Sequence, residues 1–232
     1  MNTIQTQNPL WIKLPKAFGR SIYNRCIHLS QMADEPYATH IPILIAVTSI
    51  VCPENVVEFG AGVFSTLSFA RRDLYPSIRR VVSYENDREW YLKLKDQIEA
   101  GSGLELHYAD GPMHLAAQSA DLSKAAMIFI DDSSVADIRS LTVDRVAARC
   151  NEGCVVVLHD SNLLPLRRAT RNFQHRIHVD ALNPQTSILW NGRPEWLPLF
   201  REANRKIGAK KAQIAATDMV AWKSLFTIPA AG

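Results

Sequence analysis

Paired cysteines, long apolar runs and a dominant charge are all missing from this sequence. Its four cysteines, Cys26, Cys52, Cys150 and Cys154, include no C-x-x-C pair. That argues against a disulfide framework or a structural zinc site, and for reduced thiols in a cytoplasmic protein. The longest apolar run, residues 41–51, is interrupted by Pro42, Thr48 and Ser49. It is too short to span a bilayer and reads as a buried helix. No apolar stretch follows a basic start, so no signal peptide is expected. The 26 basic and 23 acidic residues leave a net charge of +3, too balanced for a nucleic-acid-binding face. The local groups Arg167, Arg168, Arg171 and Lys206, Lys210, Lys211 read as solvated helix faces. Internal repeats, low-complexity tracts and linkers are absent as well. The expectation is one soluble domain over residues 1–232, with residues 1–40 as an N-terminal arm carrying one or two short helices. Neither a membrane nor a nucleic acid is expected as partner, and a homo-oligomer is compatible with the sequence.

What is present is an alternation. Residues 55–59 (NVVEF), 81–85 (VVSYE), 104–109 (LELHYA), 126–131 (AMIFID) and 154–160 (CVVVLHD) are short, rich in β-branched residues and bounded by turn or charge signals. Such runs suit strands buried on both faces. Between them lie helical patterns. Trp90, Leu94 and Ile98 recur every four residues behind the cap candidates Asn86 and Asp87, and Val135, Ile138 and Val146 fall close to a helical repeat. The fold class predicted is α/β: a Rossmann-like, doubly wound, mostly parallel seven-stranded sheet with helices on both faces. After a helix near 163–173, runs at 176–182 and 186–190 flank Asn183-Pro184 as a hairpin-like turn, and a helix near 195–207 precedes a last apolar stretch at 219–226. Trp190, Trp196 and Trp222 in this part read as core.

In an open parallel sheet, ligands bind beyond the carboxyl ends of the strands. Those ends are polar or acidic here. The first run leads into Glu58-Phe59-Gly60-Ala61-Gly62-Val63-Phe64-Ser65-Thr66, whose glycines permit a tight turn and close backbone approach to a ligand, and whose Ser65 or Thr66 can cap the next helix. The second ends in Glu85, 23 residues after Gly62, where a carboxylate can accept hydrogen bonds from ribose hydroxyls. The third is followed by Asp110-Gly111, the fourth by Asp131-Asp132, and the fifth ends in His159-Asp160. A purely structural sheet has no reason to collect carboxylates along one rim, because their mutual repulsion must be compensated. A nicotinamide dinucleotide is disfavoured, since Glu58, two residues before the first glycine, would repel its pyrophosphate.

Over residues 40–162 the sequence resembles the class I S-adenosylmethionine-dependent methyltransferases, through E-F-G-A-G-V-F-S-T, Y-E-N-D, A-D-G, F-I-D-D and L-H-D-S. It is more specifically similar to small-molecule O-methyltransferases whose fifth strand ends in H-D-S. The resemblance implies S-adenosyl-L-methionine as cofactor, held by Glu58, Gly60, Ala61, Gly62, Ser65, Thr66, Glu85, Asn86, Asp110, Gly111 and Asp131. Glu58 and the glycine loop would face the methionine part, Glu85 the ribose, and Asp110 with Gly111 the adenine. Asp131 would lie beside the sulfonium. The implied reaction moves a methyl group to an oxygen or nitrogen of a small molecule, with Asp131, Asp160 and His159 as catalytic candidates. Catechol-type relatives hold magnesium near Asp131 and Asp160 with an Asn directly after the second Asp. Here Ser161 stands there and Asn162 follows, so magnesium is compatible but not favoured. His159 is a candidate general base, yet strand alternation turns it away from the site if Asp160 points in. His40 reads as a helix start, with lining the cofactor pocket as the alternative. Two other readings share the fold: an aminopropyltransferase using decarboxylated S-adenosylmethionine, suggested by Asp110-Gly111 and Asp132-Ser133-Ser134, and a non-catalytic cofactor-binding scaffold subunit.

Overall fold

The computed structural model describes residues 36–226, and most of the expected N-terminal arm, with Cys26, lies outside them. Of the arm, a 3-10 turn at Pro36–Ala38 leads into helix α1 (Ile41–Val51). This helix is apolar nearly all round, with every residue from Ile41 to Thr48 buried, as a helix in a core must be. It stops at Cys52, whose left-handed backbone turns its N–H onto the Thr48 carbonyl.

Strand β1 (Asn55–Phe59), helix α2 (Thr66–Phe69), β2 (Arg80–Glu85), α3 (Arg88–Lys95), β3 (Leu104–Tyr108), α4 (Met113–Ser119), β4 (Met127–Ile130), α5 (Ala136–Ala147) and β5 (Val155–Leu158) then alternate. Helix α6 (Leu164–Ala169), the pair β6 (His175–Val179) and β7 (Thr186–Trp190), and helices α7 (Trp196–Lys210) and α8 (Met219–Phe226) follow. The seven strands lie in the order β3-β2-β1-β4-β5-β7-β6. All neighbours are parallel except β7, which runs antiparallel to both β5 and β6. The order reverses between β1 and β4, the position where open α/β sheets form their ligand crevice.

Strands β1, β4, β5 and β7 are buried on both faces, which is why they read as continuous apolar runs rather than alternating ones. Alternate residues feed two cores. Val56, Phe129, Val157 and Trp190 join α1, α7 and α8 on one face. Val57, Ile130, Val156 and Leu189 join α4, α5 and α6 on the other. Trp190 and Trp222 are core residues, and Trp196 packs against them partly buried. Cys52, Cys150 and Cys154 are free thiols. Among the described residues no helix is long and apolar enough to cross a membrane.

The expected repeat on α5 is out of phase. Val135 and Ile138 are exposed, while Arg139, Thr142, Val143 and Val146 form the buried stripe. An arginine on the core-facing side hid the true face from a search for apolar residues alone.

Candidate active site

The parallel strands deliver Phe59, Glu85, Tyr108, Ile130 and Leu158 to one rim of the sheet. At the end of β1 the chain turns through Gly60, whose φ is +89°. A Cβ there would stand 2.2 Å from the Asp131 carbonyl oxygen and 2.5 Å from Asp132 Cα. Only glycine lets the first loop pass against the end of β4.

Glu58 supports this loop from below. The resemblance places it against the methionine part of a cofactor, but in the fold it is fully buried. Its Oε2 accepts hydrogen bonds from Thr66 Oγ1 at 2.6 Å and from the Ser83 hydroxyl. Thr66 Oγ1 in turn accepts the Gly62 N–H at 2.9 Å. A relay therefore runs from the loop backbone through Thr66 to Glu58. Glu58 precedes the last strand residue, so its side chain still points into a sheet face. Burial pushes its carboxyl up to about 7 against the pull of Ser65, Ser83 and Thr66. Ser65 occupies the N-cap position of α2 without a side-chain capping bond, so neither Ser65 nor Thr66 caps that helix as expected.

Glu85 ends β2 and does reach the rim. Its Oε1 accepts the N–H groups of Asn86 at 2.8 Å and Asp87 at 2.7 Å, and its Oε2 accepts that of Ala61 at 3.1 Å. Burial raises its carboxyl above the usual range despite these three donors. Asp87 caps α3 by accepting the Trp90 N–H, and the Trp90 indole donates to the Ala61 carbonyl at 2.7 Å. The glycine loop is thus tied to the end of β2 from both sides of Ala61. Beyond it lies a cleft of about 420 Å³ lined by Asn86, Pro112, Met113, Asp132, Ser133 and Ile138. Asn86 donates to the Gly111 carbonyl across its mouth, and Asp110 and Gly111 are exposed beside it.

Asp131, His159 and Asp160 do come together, at the ends of β4 and β5. His159 Nδ1 lies 3.2 Å from Asp131 Oδ2 and 3.7 Å from Asp160 Oδ1. Its Nε2 lies 3.0 Å from Thr39 Oγ1, which also donates to the Pro184 carbonyl. β5 ends at Leu158, and Asp160 is left-handed, with φ +55°. Strand alternation no longer governs either side chain. His159 is nevertheless buried with both ring nitrogens engaged, which holds Asp131 in place and leaves no nitrogen facing the cleft. His40 starts α1 without a capping bond and packs its ring between Phe129 and His159. Burial, then the neighbouring His159, lowers its imidazole to about 3, although Asp131 and the Phe64 backbone pull the other way.

Sequence reasoning missed Arg139. It is 3 % exposed and spans Asp131 Oδ1 at 2.9 Å, Asp160 Oδ2 at 3.1 Å and the His159 carbonyl at 2.9 Å. Its Nε stands 3.6 Å from Asp132 Oδ1. Burial raises Asp131, but His159 and Arg139 outweigh it and leave the carboxyl below its usual range. Burial pushes Asp132 up to about 6, against its hydrogen bond from Thr142 and the charge of Arg139. The available signal was an arginine at the 139-143-146 spacing of a helix face. The Arg139 guanidinium, bridging Asp131 Oδ1 and Asp160 Oδ2, stands between the two carboxylates that would hold magnesium. On the far side of Asp131, His40, His159 and Asp131 bring ligand-type atoms within 4.8 Å of one another. There Asp131 is already shared between His159 and Arg139.

No family model matches the sequence, and no curated protein matches it either. Solved structures do. An apo TDP-rhamnose 3′-O-methyltransferase of calicheamicin biosynthesis is 15 % identical with a TM-score of 0.52, over 80 % of this chain and 89 % of that one. An O-methyltransferase from Bacillus cereus in complex with SAH is 15 % identical at 0.51, over 76 % and 92 %. A probable spermidine synthase from Corynebacterium glutamicum is 14 % identical at 0.51, over 75 % and 72 %. The chain has the fold of the class I S-adenosylmethionine-dependent methyltransferases.

Proposed function

We propose that this protein transfers the methyl group of S-adenosylmethionine to an oxygen or nitrogen of a small molecule. The observation that carries the reading is Glu85, fixed at the end of β2 opposite a glycine loop that tolerates no side chain at Gly60. An ionised carboxylate offers about four lone-pair positions. Three are taken by backbone N–H groups, which leaves one for a ribose hydroxyl. The cleft beside it presents the apolar faces of Pro112, Met113 and Ile138 with Asn86 and Asp132, a lining suited to a purine ring. Glu58 acts through Thr66 to hold the loop rather than by touching the ligand. The B. cereus neighbour, crystallised with SAH, supports the same cofactor class.

Asp131 and Asp160 keep 27 % and 28 % of their side chains exposed, so in this reading both remain open to an acceptor. Ionised carboxylates only accept hydrogen bonds, so the acceptor presents an O–H or N–H. In the transfer the S–CH₃ bond breaks as an O–CH₃ or N–CH₃ bond forms, the electron pair stays on sulfur, and the acceptor's proton passes to a carboxylate or to water. Asp131, held below its usual range, is a weak base. The protein's main contribution is alignment.

Isothermal titration with S-adenosylhomocysteine tests the cofactor: micromolar binding is expected, and no heat at millimolar ligand refutes it. The C. glutamicum neighbour favours aminopropyl transfer as a second reading. Preferential binding of decarboxylated S-adenosylmethionine and methylthioadenosine would select it.

A further inference from the structure

Three carboxylates, those of Asp131, Asp132 and Asp160, converge where β4 and β5 end. Carboxylates this close repel unless one takes up a proton or a cation stands among them. Helix α5 supplies the cation. Its buried stripe places Arg139 beside Thr142, Val143 and Val146, one turn from the helix start. The planar fork reaches all three acids: Nη2 on Asp131 at 2.9 Å, Nη1 on Asp160 at 3.1 Å, and Nε 3.6 Å from Asp132. Nη1 also donates to the His159 carbonyl. At 3 % exposure the guanidinium has no face left for a ligand.

We propose that Arg139 is a built-in cation standing where these three carboxylates would otherwise gather a divalent metal ion, and that it positions Asp131 and Asp160 without one. Magnesium requires a near-octahedral shell of oxygens at about 2.0–2.1 Å. A guanidinium already bridging Asp131 and Asp160 excludes that shell by both volume and charge. Arg139 is therefore a positioning residue: it orients the Asp131 and Asp160 carboxylates and neutralises their repulsion. Unlike a metal ion, it cannot coordinate an acceptor oxygen and lower its pKa. The inference stands on the carboxylate cluster and holds whichever group is transferred.

The test is uptake of Mn²⁺, followed by electron paramagnetic resonance on the purified full chain, with S-adenosylhomocysteine binding and thermal melts measured in parallel. The unsubstituted protein is expected to show no saturable uptake up to millimolar Mn²⁺. Arg139→Met keeps a long stem but removes the charge, and is expected to bind Mn²⁺ saturably and competitively with Mg²⁺. Asp160→Asn in that background should abolish the uptake, and Arg139→Lys, which keeps the charge, should remain metal-free. A purely structural role for Arg139 moves the melting temperature but creates no metal site. If Arg139→Met does not fold, Arg139→Met/Asp132→Asn, with one buried carboxylate fewer, carries the same test. Saturable Mn²⁺ binding by the unsubstituted protein, or a folded charge-removed variant that takes up none, overturns the proposal. Absence of S-adenosylhomocysteine binding by the unsubstituted protein would count against the cofactor reading instead.

Discussion

Replacing Gly60 by alanine tests whether the close approach of β1 and β4 builds the site. Two penalties add. The left-handed backbone at φ +89° costs a non-glycine residue about 1–2 kcal/mol. The new Cβ would also stand 2.2 Å from the Asp131 carbonyl oxygen and 2.4 Å from its carbon. These are backbone atoms of a strand end packed on both faces, so relief requires moving β4, an overpacking cost of about 1–3 kcal/mol. The sum, about 2–5 kcal/mol, is a large share of the roughly 5–15 kcal/mol that holds a domain folded. Gly111 is the control. Its φ is +126°, yet an added Cβ meets nothing within 4 Å, so Gly111→Ala carries backbone strain alone, about 1–3 kcal/mol. Urea unfolding followed by the fluorescence of the buried Trp190 and Trp222 measures both. Gly60→Ala should be the more destabilising, and because it displaces Asp131 it should also weaken S-adenosylhomocysteine binding. Equal losses for the two variants, or a Gly60→Ala protein as stable as the parent, would refute the steric argument.

Glu85→Ala should weaken S-adenosylhomocysteine binding by about 1.5–3 kcal/mol, the scale of hydrogen bonds to a charged group. It should also lower stability by about 1–3 kcal/mol, because the N–H groups of Ala61, Asn86 and Asp87 lose their acceptor; calorimetry of both quantities checks it, and unchanged affinity sinks the ribose assignment. Glu58 predicts a pH dependence. Its carboxyl is raised from 4.5 to about 7, so between those values the unfolded chain has released a proton that the folded chain retains. Stability therefore falls as pH rises through this window, by about 3 kcal/mol, and is flat in this respect above it. Glu58→Gln should remove that decline, becoming more stable relative to the parent at pH 8 than at pH 4.5. Parallel stability curves for the two proteins would show that Glu58 does not titrate there.

The strands were legible because their runs are local: β1 falls on the residues that its β-branched run marks, and the other four differ from their runs only at the ends, although only β1, β4 and β5 of the five are buried on both faces, β2 alternating and β3 being half exposed. The β6–β7 hairpin was equally legible from the Asn183-Pro184 turn between two apolar runs. The rim residues were legible too, because a parallel sheet carries the ends of successive strands to one edge whatever packs around it. Side-chain direction was harder. The alternation that assigns a face holds only while the chain remains a strand, so it does not set the direction of His159, one residue past β5, and it was not applied to Glu58, which still obeys it.

The sequence by itself determined the order of strands and helices, the glycine turn after β1 and the row of carboxylates along the sheet's edge, all of which follow from patterns spanning a few residues. Only the tertiary structure decided what those carboxylates face. Glu58 meets Ser83 across the β1–β2 pairing, Arg139 meets Asp160 from a helix 21 positions away, and Thr39 meets His159 across 120. No local pattern encodes such partners, because they depend on which helix face turns inward. Arg139 turned inward because three converging acids need a cation more than α5 needs one further apolar contact.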